Sequence, residues 1–328
     1  MADLSTRYMG LQLASPLVVA SSSLSNKIEN FQAAEASGAG AIVLRSLFEE
    51  QIEAAESEIE EAISFQADAN PEARSYLPPQ RIGPREYLRL LDKAKKTVRI
   101  PIIASLNCAA PGSWSEYARQ LADAGADAIE VNIYAVGADP AVSGEEMERQ
   151  YVEIVRSVRE AVKLPIALKL SPFFTSFANA AKKFDDAGVN ALVLFNRFLQ
   201  PDIDLDRMAL HSSMQLSHSW EMLLPLRWTA ILYGRVKADL AASTGVHDGA
   251  GVVKMVLAGA TVVQLAATLL RNGMSHLAAL RSDLDDWMER GRYSSLDDFR
   301  GTLSQKEAKD PRAFERAQYV NLILSQNM

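Results

Sequence analysis

Residues 121–132, LADAGADAIEVN, carry the chain from the end of a helix into a buried strand. Gly125 stands just after the helical pattern, where glycine is favoured because it adopts a positive φ without a Cβ clash. The mainly apolar run that follows, up to Asn132, is typical of a parallel strand covered on both faces. This stretch therefore predicts a helix, a glycine stop and one strand of a parallel sheet.

The same unit occurs at three other places, each with its glycine at the same point. The copies are AEASGAGAIVLRS at 34–46, FDDAGVNALVLFN at 184–196 and MVLAGATVVQLA at 255–266, with Gly38, Gly188 and Gly259. A second repeat, V-[KR]-x-P-I, opens a strand in TVRIPIIASLN at 97–107 and in AVKLPIALKLSP at 161–172. Proline is tolerated there because the first residue of a strand need not donate to the ladder.

Together with 15–21 and 237–244, the repeats predict eight strands that begin near residues 16, 40, 101, 127, 165, 190, 238 and 262. Helical patterns separate them, for example at 117–124, 145–162 and 249–258. Eight parallel strands alternating with helices over 328 residues predict an α/β fold, a (β/α)8 TIM barrel. A doubly wound sheet is the alternative, but it favours a glycine-rich first turn, and the first turn here is ASSSLSN at 20–26.

Composition narrows the class of protein. The hydrophobic share is 48%, the charged share is 23% and the net charge is −7, which disfavours nucleic acid as a partner. We expect no membrane span, because no apolar run approaches the roughly 18 residues that one needs. The N-terminus lacks the basic start of a signal peptide, and the single cysteine, Cys108, suits a reducing compartment, so a cytoplasmic location is expected. The four histidines lack metal-binding spacing, so no metal site is expected.

Two connections are longer than simple βα loops, 47–84 after the second strand and 197–220 after the sixth. In a barrel such loops lie at the catalytic face, so we expect both to cover the site. The acidic run at 49–63 within the first is interpreted as a solvated helix face.

Polar residues stand where the predicted strands end, which in a barrel is the mouth of the site. In chain order they are Ala20, Ser21 and Ser22; Arg45 and Ser46; Asn107; Asn132; Lys169; Asn196 and Arg197; Ser243, Thr244 and Gly245; and Ala266, Ala267 and Thr268.

Lys169 is the strongest signal in this set, because a buried ammonium needs a partner and so indicates an anion or an electron-rich ring. The alternative is a lysine that reaches solvent from the strand end. Three asparagines on separate strand ends suit a heterocycle with alternating carbonyl and N–H groups, although each could instead cap a loop. STGVHDG at 243–249 suits a phosphate, so a flavin mononucleotide is favoured over a sugar phosphate.

These elements and motifs resemble dihydroorotate dehydrogenase, especially its soluble class, from about residue 4 to residue 280. The blocks that carry the resemblance are STRYMGLQLASPLVVASSS at 5–23, GAGAIVLRS at 38–46, IEVNIYAVGADP at 129–140, IALKLSP at 166–172 and AASTGVHDGAGVVKMVLAGATVVQLAATLL at 241–270. The resemblance implies a short N-terminal β-hairpin, one FMN-binding barrel domain over 1–328 and a C-terminal helical extension from about residue 290. It also implies an oxidoreductase of pyrimidine metabolism, a small-molecule substrate and, by analogy, a homodimer.

Carried over residue by residue, the resemblance implies FMN as the cofactor. The residues implied to bind it are Ala20, Ser21, Ser46, Asn107, Asn132, Lys169, Asn196, Thr244, Gly245, Ala266 and Ala267. Lys169 would stabilise negative charge on the reduced ring. Arg45, Asn132, Asn196 and Arg197 are the candidate substrate residues.

The sequence departs from the family on the substrate side. The family's base, a Cys or Ser in the loop after the fourth strand, falls at Ala135, and alanine cannot accept a proton. The family's second Asn in this loop falls at Gly137, and the Ser after the sixth-strand Asn falls at Arg197. Tyr134 is the candidate acid or base nearby, and Cys108 follows a different strand. The departures predict an anionic substrate other than dihydroorotate.

Three functions remain open at this point. The first is an FMN-dependent oxidoreductase that transfers a hydride to flavin N5, with an electron acceptor that the sequence does not identify. The second is an inactive or regulatory barrel of the same family. The third is a flavin-free barrel, a lyase or isomerase, that binds a phosphate ligand.

Overall fold

The computed structural model describes residues 2–48, 50–52, 83–108, 114–133, 135–197, 200–211 and 215–325. Its strands are β1 (Thr6–Tyr8), β2 (Leu11–Leu13), β3 (Leu17–Val19), β4 (Ala41–Val43), β5 (Leu47–Phe48), β6 (Ile102–Cys108), β7 (Ala128–Ile133), β8 (Ile166–Leu170), β9 (Ala191–Leu194), β10 (Asp202–Asp204), β11 (Ala209–His211), β12 (Asp239–Ser243) and β13 (Val262–Leu265). Its α-helices are α1 (Ile28–Ala36), α2 (Pro84–Thr97), α3 (Trp114–Asp123), α4 (Gly144–Ala161), α5 (Phe177–Asp186), α6 (Leu223–Leu232), α7 (Gly249–Ala258), α8 (Ala267–Asn272), α9 (His276–Gly291) and α10 (Arg316–Ser325).

Eight parallel strands close into a ring, which confirms the predicted (β/α)8 barrel. The order around the ring is β3, β4, β6, β7, β8, β9, β12 and β13, and β13 pairs back onto β3. Each of these strands begins within one residue of its predicted position. The prediction worked because the repeated unit places a glycine stop and an apolar run at fixed spacing.

The repeat glycines end their helices as expected. Gly38, Gly125, Gly188 and Gly259 all have positive φ, from 88° to 120°. Gly259 is also closely packed, since a Cβ there would lie 2.4 Å from Cδ2 of Tyr233. At this position glycine is required both by backbone conformation and by space.

The N-terminal hairpin closes the lower end of the barrel. β1 pairs antiparallel with β2, as the resemblance implied. The buried residues Tyr8, Met9 and Leu13 of this hairpin pack with the inward-facing side chains of the barrel strands. The backbone N–H of Met9 donates to Oδ2 of Asp239 over 2.6 Å, which ties the hairpin to the start of β12. The site must therefore open at the other end, where the strands terminate.

The outward faces of the strands pack against the helices in a second, larger apolar cluster. Of the long connection after β4, residues 53–82 lie outside the described part of the chain, and so does most of its acidic run. The connection after β9 carries the exposed β10–β11 hairpin. Beyond α9, the predicted C-terminal extension contains two 3-10 turns and α10. No helix within the described ranges is long and apolar enough to cross a bilayer.

Candidate active site

A cavity of about 450 Å³ opens at the carboxyl ends of the barrel strands. This volume falls within the range of roughly 300–1,000 Å³ typical of small-molecule and cofactor sites. Every predicted site residue lines it except Tyr134, which lies outside the described residues. Those present are Ala20, Ser21, Arg45, Ser46, Asn107, Asn132, Lys169, Asn196, Arg197, Thr244, Gly245, Ala266 and Ala267.

The cavity floor is formed by residues at one level of three neighbouring strands. Asn107 on β6 is paired in register with Asn132 on β7, which is paired in turn with Lys169 on β8. The amide Nδ2 of Asn196 donates to Oδ1 of Asn132 over 3.1 Å. This contact fixes the orientation of the Asn132 side chain and leaves its amide N–H groups available on the cavity side.

Lys169 does not reach solvent, so the alternative of a solvent-reaching lysine is wrong. Its side chain is only 7% exposed, and its ammonium lies inside the barrel. Nζ donates to Oε1 of Gln264 over 3.2 Å and lies 3.5 Å from Oε1 of Glu130. A charge held this deep, with one face towards a cavity, is the usual arrangement of a ligand-binding lysine.

Glu130 is a buried acid that the sequence interpretation missed. It is 1% exposed, and its Oε2 accepts from Nε2 of Gln264 over 2.5 Å. A signal was present, because Glu130 is a charge inside an otherwise apolar strand, two positions before Asn132 and so on the same face. Gln264 stands across the barrel on β13, a contact that strand spacing alone does not reveal.

A chain of hydroxyl groups forms one wall. The Oγ atoms of Ser21 and Ser46 are 3.1 Å apart, and those of Ser46 and Ser105 are 2.8 Å apart. The backbone N–H of Ser105 donates to the hydroxyl of Tyr87, whose pKa is raised by burial, so this wall remains uncharged.

The two candidate substrate arginines differ in their surroundings. Nε of Arg197 donates to Oε1 of Glu221 over 3.1 Å, so its charge is already paired. Arg45 is exposed at the cavity mouth and has no ion pair within the described residues. Of the two, Arg45 is the cation available to an incoming anion.

Thr244 has a backbone conformation that is costly for its residue type. Its φ is 78°, and a β-branched residue in this left-handed region is strained. The next residue, Gly245, has the same φ, and a Cβ there would lie 2.2 Å from the backbone nitrogen of Met222. Such strain at a cavity edge indicates that the backbone shape itself serves the site.

The loop at the family's base position supplies no acid or base from its described part. Ala135 packs against the core, and no described residue from 135 to 143 lines the cavity. On the opposite side, Oγ of the lining residue Ser217 is 3.3 Å from Nε2 of His247. Burial and nearby Arg271 lower the pKa of His247, so its ring stays neutral near pH 7. The sequence interpretation missed this pair, because the two residues follow different strands.

Comparison with known proteins gives a consistent result. Residues 80–288 match the model of a family described as dihydroorotate dehydrogenase. A putative dihydroorotate dehydrogenase A (fumarate) from Aeropyrum pernix is 28% identical over 232 residues, which is 67% of this chain and 72% of that protein. The catalytic subunit of dihydroorotate dehydrogenase B (NAD(+)) from Thermoplasma acidophilum is 25% identical over 313 residues, 92% of this chain and 99% of the relative.

Proposed function

The chain belongs to the dihydroorotate dehydrogenase family, and we propose that it is an FMN-dependent oxidoreductase acting on a small anionic substrate. The observation that carries the proposal is the buried Lys169 ammonium at the floor of the cavity, beside the amides of Asn107 and Asn132. A buried, fixed cation beside neutral hydrogen-bonding groups suits a heterocycle that becomes negatively charged on reduction.

The residues present fit FMN in size and chemistry. Ala20, Ser21, Ala266 and Ala267 are small and leave room for a planar ring system between opposite walls. Asn107, Asn132, Lys169 and Asn196 would hold its polar edge. The backbone at Thr244, Gly245, Ala266 and Ala267 would hold the phosphate. In TIM barrels the loops after the last two strands frequently form the phosphate-binding site.

When bound, FMN would supply the acceptor for the two electrons and one hydrogen that leave the substrate as hydride. Lys169 would stabilise the negative charge that accumulates beside it, and the amide floor would orient the reacting faces. Arg45 would attract the substrate's anionic group at the cavity mouth. Oxidation of a C–C bond also releases a proton to a base, and Tyr134 is the candidate that the sequence offers.

The proposed substrate is not dihydroorotate. Ala135 stands at the base position, Gly137 replaces an amide ligand, and Glu221 already pairs with Arg197. The electron acceptor stays open. A homodimer is proposed by analogy with soluble members of the family, and a cytoplasmic location is proposed from the single cysteine, Cys108.

The test is to identify what the purified protein binds. The protein is denatured, any released small molecule is identified, and the refolded or apo protein is offered FMN. We expect one FMN per chain and a visible flavin spectrum. A colourless protein that takes up no FMN would contradict the proposal and favour the inactive or flavin-free alternatives.

A further inference from the structure

We infer that Glu130 is a positioning residue, which holds the Lys169 ammonium at the cavity floor and thereby sets the reduction potential of the bound flavin. The inference rests on the proposed function, because it concerns how the same site would treat FMN. It adds to that function a residue that does not line the cavity and would not touch the cofactor.

Glu130 and Lys169 lie on the adjacent strands β7 and β8, with Lys169 one inward-facing level nearer the cavity, since Glu130 is in register with Ala167. Gln264 reaches them from β13 on the far side of the barrel and bonds to both, accepting from Lys169 and donating to Glu130. The three side chains therefore form a bridge across the barrel axis, in which Lys169 and Gln264 line the cavity and Glu130 does not.

The two carboxylate oxygens of Glu130 have different partners. Oε2 of Glu130 is occupied by Gln264, whereas Oε1 has no hydrogen bond within the described residues and faces Nζ of Lys169 at 3.5 Å. An ammonium has three donors, and Gln264 receives one of them. Glu130 thus attracts the lysine by charge while leaving donors available for a ligand above.

The buried hydroxyl of Tyr8, on the N-terminal hairpin, has no hydrogen-bond partner within the described residues. Burial, together with the charges of Glu130 and Asp239, raises its pKa well above the usual value, so Tyr8 is neutral. Lys169 is then the charge that balances Glu130, and neutralising Glu130 leaves the floor with a net positive charge.

Removing the charge of Glu130 and removing the charge of Lys169 should shift the midpoint potential of the bound flavin in opposite directions. With Glu130 neutral, the uncompensated ammonium stabilises the negative charge that the cofactor gains on reduction, so the midpoint potential rises. With Lys169 removed and Glu130 retained, the potential falls. A residue needed only for folding would not produce opposite shifts from the two ends of one contact.

The test measures the midpoint potential of the FMN-loaded protein by equilibration with a redox dye, for wild type, Glu130→Gln and Lys169→Met. We expect Glu130→Gln to shift the reduction equilibrium at least tenfold towards the reduced form, about 30 mV for a two-electron couple. We expect Lys169→Met to shift it in the opposite direction.

The matched control is Asp127→Asn, which neutralises a carboxylate that is paired with Lys95 just before β7 begins, three residues and about 10 Å along the chain from Glu130. Its potential should equal that of wild type. If Glu130→Gln does not fold, Glu130→Asp is measured instead. Its side chain is one methylene shorter, so the carboxylate lies further from Lys169 and the potential should rise by a smaller amount. A potential that is unchanged or lowered in the folded Glu130 variant overturns the inference while the proposed function stands. Absence of FMN binding by wild type overturns both.

Discussion

Lys169 and Glu130 form a buried ion pair. Each charge offsets part of the desolvation cost of burying the other. Removing one partner of such a pair leaves the other charge buried without compensation, which typically costs about 3–5 kcal/mol. We predict a loss of that size in the unfolding free energy for Lys169→Met, measured by urea denaturation of the cofactor-free protein. The double variant Lys169→Met with Glu130→Gln should recover part of the loss. Additive losses would show that the pair is not coupled.

Ala135 stands where the resemblance to the family implies a catalytic Cys or Ser. We predict that the FMN-loaded protein shows no substantial turnover of dihydroorotate with an artificial electron acceptor. Ala135→Cys should not restore it, because Gly137 and the paired Arg197 would remain. Rapid turnover by the wild type would show that another group acts as the base and that our interpretation of this loop is wrong.

His247 gives the protein an expected pH dependence. Burial, followed by the charge of Arg271, lowers its folded-state pKa below the unfolded value of about 6.5. The unfolded chain therefore binds more protons, and this group's contribution to stability is lost as pH falls below about 6.5. We predict that His247→Gln flattens this slope in denaturation curves measured between pH 7 and pH 5. The control variant is His211→Gln, a histidine substitution on the exposed β10–β11 hairpin.

At the scale of elements, the helix–glycine–strand unit determines the barrel, but its four glycines are not equivalent. A Cβ at Gly125 would meet no atom within 4 Å, whereas at Gly259 it would overlap the ring of Tyr233. We predict that Gly125→Ala costs about 1–2 kcal/mol, the price of a left-handed conformation alone. Gly259→Ala should cost clearly more, as judged by the midpoints of urea unfolding. Equal losses would mean that the Tyr233 ring moves aside freely.

Sequence reasoning succeeded for elements whose evidence is local. Strand starts follow from glycine and proline positions, and the residues that line the cavity follow from one rule, that parallel strands end at the same mouth. Glu130 was missed because its partner Gln264 is 134 residues away, on the opposite side of the ring. The β10–β11 hairpin was also missed, although the alternation Asp202-Ile203-Asp204-Leu205-Asp206 is a local signal for a strand.

At the scale of the whole molecule, one end of the barrel supports the structure and the other is open. The hairpin seals the lower end with Tyr8, Met9 and Leu13. Its hydrogen bond to Asp239 ties it to the start of β12, the seventh barrel strand in chain order. The upper end holds the cavity, the buried Lys169 ammonium and a strained backbone at Thr244. This division matches the rule that barrel enzymes place function at the carboxyl ends of their strands.

The central claim is that FMN occupies this cavity, and a titration of the apo protein with FMN tests it most directly. Wild type should bind one FMN per chain. Ala267→Trp, which fills the cavity beside β13, should abolish binding while folding normally, and Ala141→Trp on an exposed loop should bind as wild type does. Absence of saturable binding by wild type, or unchanged binding by Ala267→Trp, would contradict the account.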